Sequence, residues 1–105
     1  MSESTYNSIG EMLSKKQKAE ISKMFGKPCL KIGGKAFACF FNGEMVFKLG
    51  ADDHKKAMAM KGSKLFDPSG ANRPMKEWVQ VKPAHEKEWL KLAEASLKYV
   101  KESLK

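Results

Sequence analysis

The sequence predicts an α+β domain with helices packed on an antiparallel sheet, and three observations point there. Two glycine-bearing turns, Gly33-Gly34 and Asn42-Gly43, separate runs rich in aromatic and β-branched residues, the pattern of successive hairpins. From Ala84 to Ser103 the pattern is helical, with Trp89, Leu90, Ala93, Leu97, Val100 and Leu104 recurring at steps of three and four. The chain has 105 residues, 42% of them apolar, which suits one domain (1–105) around one core.

Taken in order, the first element is a short helix near Thr5 to Lys15. Ser8 and Glu11 have capping-box spacing, and Ile9, Met12 and Leu13 are offered to a core. Gly10 and the Lys15-Lys16-Gln17-Lys18 cluster argue against a longer helix. A brief extended piece follows around Ile21 to Phe25. Met24-Phe25-Gly26-Lys27-Pro28 reads as a turn into the next strand. Met24 and Phe25 anchor it, and Gly26 and Pro28 set the bend.

"CLKI-GG-KAFACFF-NG-EMVFKL" is then three strands joined by two-residue turns. With both turns closing regular hairpins, Leu30 faces Phe37, Cys29 faces Ala38, and Phe41, Phe40, Cys39 and Ala38 face Glu44, Met45, Val46 and Phe47. This register sorts the side chains onto two faces. Cys29, Lys31, Ala36, Ala38, Phe40, Met45, Phe47 and Leu49 form the expected core face, with small alanines that admit a helix. Leu30, Ile32, Lys35, Phe37, Cys39, Phe41, Glu44, Val46 and Lys48 form the other, apolar in the centre and charged at the rim. Such a face calls for a cover: the chain's own ends, a second copy or a ligand.

Asp52 is the expected N-cap of the next helix, which closes at Lys61-Gly62. Asp67-Pro68-Ser69-Gly70 is a β-turn, and Asn72 and Pro74 keep the chain irregular beyond it. "MKEWVQV" is a strand with Met75, Val79 and Val81 on one face and Trp78 and Gln80 on the other. Pro83 ends it before the long helix. The predicted order is helix, three-strand meander, helix, one or two further strands, long C-terminal helix.

The net charge is +8, and nineteen of the twenty basic residues are Lys. Six of the eight surplus charges fall in residues 27–82. A basic surface attracts polyanions, but reading of bases leans on Arg forks, and Arg73 is the single Arg. No apolar run is long enough to span a membrane. The amino terminus lacks a signal-peptide pattern, and two cysteines do not make a disulfide scaffold. A cytoplasmic protein is expected.

No motif of catalysis stands out. Nucleophile elbow, phosphate-binding glycine loop, zinc-protease helix and paired carboxylates in an apolar setting are all missing. Asp52-Asp53-His54 is consecutive on a helix and cannot close round one ion, and His85 has no spaced partner. No metal, cofactor or enzymatic activity is expected. In the regular register Cys29 and Cys39 point to opposite faces, which excludes a disulfide between them. They read as buried thiols.

"KMFGKPCLKIGGKAFACF", "EMVFKL", "FDPSGANRPMKEWVQV" and the Trp89–Val100 helix together resemble the TfoX N-terminal domain family. The resemblance runs from about Lys23 to Val100. It implies a compact α+β domain related in shape to YjbR-like and secretion-chaperone-like folds. Some members of that family form the N-terminal half of bacterial competence regulators, joined to a second domain. A role in competence or transcription is a weaker implication, because fold and function separate readily.

The expected function is binding. The candidate surfaces are the apolar sheet face with Phe37 and Phe41, and the loop carrying Arg73. Arg73 either ties its loop down through carbonyls or through Asp67 or Glu77, or joins Lys76 and Trp78 in an anion-and-aromatic patch. A protein partner, a second copy of this chain docked through Leu30, Phe37, Phe41 and Val46, and nucleic acid are the partners to weigh. A small-molecule binder or enzyme using a pocket near Trp78 is the remaining alternative.

Overall fold

A computed structural model describes residues 2–24, 27–41, 43–67 and 75–103. Among the described residues, three α-helices lie on one face of a six-stranded sheet. The elements are α1 (Ser2–Gln17), β1 (Glu20–Met24), β2 (Lys27–Ile32), β3 (Lys35–Phe41), β4 (Glu44–Lys48), α2 (Ala51–Met58), β5 (Lys64–Phe66), β6 (Met75–Val81) and α3 (Glu86–Ser103), with a 3-10 turn, Pro83–His85, before α3. The strand order is β1-β2-β3-β4-β6-β5, and each neighbouring pair is antiparallel. The α+β class and the order of elements match the sequence expectation, with both further strands present.

α1 is longer than its apolar pattern suggests. It buries Tyr6, Ile9, Gly10 and Leu13 at steps of three and four, while Met12, expected inside, is 36% exposed. Gly10 is what lets this helix approach: a Cβ there would stand 3.1 Å from Leu30 Cδ2. The residue that weakens α1 as an isolated helix therefore seats it on β2. Lys18, at φ 64°, turns the chain out of the helix, and the Ala19 amide donates to the Leu13 carbonyl at 3.2 Å.

The Gly33-Gly34 turn has positive φ at both residues, 58° and 82°, the backbone of a type I′ hairpin. Across the second hairpin Phe41, Phe40, Cys39 and Ala38 face Glu44, Met45, Val46 and Phe47, as the turn spacing predicts. The first hairpin departs from its expected register. Ile32 faces Lys35 and Lys31 faces Ala36, but Leu30 faces Ala38 and Cys29 faces Cys39. Phe37 is the extra residue of a β-bulge.

One inserted residue reverses every side chain of β2 relative to the expectation. Leu30 and Ile32 turn inward to the helices, and Cys29 turns to the opposite face. Phe37 and Ala38 both enter the helix-side core, each 0% exposed. That core joins them to Met45, Phe47, Val79 and Val81 from the sheet, Ala57 from α2, and Trp89, Leu92, Ala93, Leu97 and Val100 from α3.

α2 is capped by Gly50 without a side-chain hydrogen bond, so Asp52 is not the N-cap. Asp52 and Asp53 lie in its first turn instead, where negative charge suits the helix dipole. The helix ends at Met58, short of the Lys61-Gly62 stop expected from sequence. His85 anchors the following turn through a 2.8 Å contact between its ring and the Lys61 carbonyl.

Candidate docking surface

The sheet face opposite the helices carries the second apolar cluster: Cys29, Cys39, Val46, Phe66 and Trp78, with Ala36 and Phe41 packed against it. Strand alternation and the observed register place one residue from each strand in a straight row across it, Ser22, Cys29, Cys39, Val46, Gln80 and Lys64. Cys29 and Cys39 are both free thiols. The aromatic rings pack in sequence, Phe41 on Phe66 edge-on at 5.1 Å and Phe66 on Trp78 at 6.4 Å. The centre of the face is closed to solvent, with Cys29 at 0% and Cys39 at 2% exposure.

Charge gathers around this centre. Lys27 Nζ sits 5.8 Å from the centroid of the half-buried Phe41 ring, a cation–π arrangement. Alternation puts Lys31, Lys48, Lys64 and Lys82 on the same face. Two acids accompany them. Glu20 lies directly across from Lys31. Glu44 accepts a 2.6 Å hydrogen bond from Gln80 Nε2 and has Lys82 Nζ at 4.0 Å. That bond satisfies the amide of Gln80, which is 5% exposed. Lys48 reaches Glu77 at 3.5 Å.

Burial governs the thiols. It pushes Cys39 up to about 12, with the neighbouring Cys29 charge as a further push. Burial raises Cys29 as well, and Lys31 acts against it. Tyr6, in α1, is raised by burial and then by the charges of Cys29 and Cys39. Both cysteines are therefore protonated at neutral pH.

Of the residues singled out in the sequence, Phe41 and Trp78 meet on this face and Phe37 does not. Phe37 is buried beneath the helices, so it contributes to no surface. Self-association through Leu30, Phe37, Phe41 and Val46 loses its basis, because Leu30 and Phe37 belong to the other side of the sheet. Trp78 is buried against Phe66. Among the described residues, one cavity lies between α1 and α3, lined by Gln17, Glu94, Leu97, Lys98 and Lys101. Pro28 is in β2, Gly43 is in its turn at φ 78°, and Asp67 follows β5. Phe25, Gly26, Asn42, Pro68, Gly70, Arg73 and Pro74 lie outside the described residues, and Met24 and Lys76 are described as backbone in β1 and β6.

Sequence reasoning missed Cys29, Cys39 and Phe66 as members of one cluster. The available signal was Lys31, which shares the Cys29 side of β2 and marks it as the side away from the main core.

Among the described residues no three or more His, Cys, Asp or Glu side chains gather where they would hold a metal ion. No described helix is long and apolar enough to cross a membrane. Compared with family models, with curated proteins and with solved structures, the chain gives no match. The resemblance to the TfoX N-terminal domain thus rests on the motifs quoted above.

Proposed function

We propose that this chain is a non-enzymatic binding domain that docks a protein partner through the sheet face opposite its helices. The supporting observation is the composition of that face. Phe41 is partly exposed beneath the Lys27 ammonium, and strand alternation puts Lys31, Lys48, Lys64 and Lys82 on the same face. A complementary partner surface is apolar at its centre and acidic at its rim. The partly exposed aromatic serves as anchor, and the lysines steer approach and fix orientation.

The test is an affinity pull-down from the native cell at physiological salt, with and without nuclease. The bait is compared with a Lys27→Glu/Lys64→Glu variant, whose exposed positions leave the core untouched. The proposal expects a protein retained after nuclease treatment and lost, at least tenfold, with the variant. Equal capture by both baits contradicts it.

The second reading is a nucleic-acid-binding accessory in transcription or competence, favoured by the net charge of +8. Its signature is nuclease-sensitive capture, together with oligonucleotide binding that weakens steeply with salt.

A further inference from the structure

Cys29 and Cys39 stand directly opposite each other on adjacent antiparallel strands. Opposed residues in such a ladder have Cα atoms about 4.5–5.5 Å apart, inside the range of about 4.4–6.8 Å that a disulfide spans. The two side chains leave the sheet on the same face and share one apolar cluster. This opposition depends on the Phe37 bulge, since a regular hairpin sets Cys29 against Ala38 instead.

We propose that Cys29 and Cys39 form an oxidation site, in which a peroxide-class two-electron oxidant closes a disulfide between β2 and β3. The Cys29 thiol gives up its proton and attacks one peroxide oxygen as the thiolate, the O–O bond breaks, and the departing hydroxide takes up that proton as water. The product is a sulfenic acid on Cys29. The Cys39 thiol then gives up its proton and attacks that sulfur, the S–O bond breaks, and the departing hydroxide takes up that proton and leaves as a second water. Peroxide is reduced by two electrons while the two thiols together lose two electrons and two protons.

The order of attack follows from the surroundings. Burial opposes ionisation of both thiols, but Lys31 acts against it at Cys29, whereas the Cys29 charge adds to it at Cys39. Burial of both thiols restricts the site to a small oxidant. A resolving thiol in the adjacent strand intercepts the sulfenic acid before it oxidises further.

The experiment uses the folded wild-type chain. It is exposed to hydrogen peroxide until a control thiol peptide is fully oxidised, blocked with N-ethylmaleimide in denaturant, digested with trypsin and weighed without reduction. The expected product is residues 24–31 joined to residues 36–48, in a monomeric chain, split by dithiothreitol. In parallel, Cys39→Ala gives sulfinic or sulfonic acid at Cys29 and no link. Two alkylated thiols in the wild type, over-oxidation at either cysteine without a link, or a dimer bridged between chains each overturn the proposal.

Discussion

Phe37→Asp abolishes folding. Phe37 is 0% exposed and lies among Leu30, Ala38, Phe47 and the α3 side chains of the helix-side core. Removing the ring forfeits about 3–5 kcal/mol of packing. Burying a carboxylate there adds a desolvation penalty of several kcal/mol more, or forces its protonation. A domain of this size has about 5–15 kcal/mol of stability in total, so the two losses together exhaust it. Circular dichroism and urea titration read the outcome directly. If Phe37 lay on the sheet face away from the helices, as a regular hairpin requires, the variant would keep its fold. The experiment therefore separates the two registers as well as measuring the core.

Stability falls at alkaline pH because of the buried thiols. Cys39 moves from an ordinary 9.0 to about 12 in the folded chain. Below pH 9 the thiol is protonated in both states and contributes no pH dependence. Between about 9 and 12 the unfolded thiol ionises while the folded one stays neutral, so the unfolded state binds fewer protons and is favoured as pH rises. The loss is about 1.4 kcal/mol per pH unit for this one group. Besides burial, the charge acting on it is that of Cys29 in β2. Cys29 and Tyr6 are raised too, and they steepen the decline in the same direction. Urea midpoints of the reduced wild type at pH 8 and pH 10 are expected to drop, and Cys39→Ala to drop by a smaller amount. Parallel curves for the two chains contradict the assigned burial of Cys39.

The order of elements was legible because its signals are local. Gly33 and Gly34 both adopt positive φ, which few residues tolerate. The four pairs of the second hairpin follow from its two-residue turn. Trp89, Ala93, Leu97 and Val100 mark the buried face of α3 by spacing alone. The bulge was not legible, and the reason is compositional. "AFACFF" has no polar residue to distinguish one side of β3 from the other, so alternation gives a period but no direction. Phe37 and Ala38 both satisfy the helix-side core, which is a tertiary preference. The limits of α2 escaped for a related reason. Asp52 has the chemistry of a cap, but Gly50 occupies the capping position, and Tyr99 Cδ1 stands 2.9 Å from where a Cβ would be. That approach is set by α3, far away in sequence. The docking surface inherits these difficulties. Lys27 meets Phe41 on this face, and Phe66 packs on Trp78, placements that no single stretch of the sequence shows.

Cross-strand backbone NOEs between β2 and β3 test the placement of Phe37 most directly. The bulged register predicts contacts joining Leu30 with Ala38, Cys29 with Cys39, and Lys31 with Ala36. Contacts joining Leu30 with Phe37 and Cys29 with Ala38 would restore the regular hairpin. They would separate the thiols and move Phe37 out of the core.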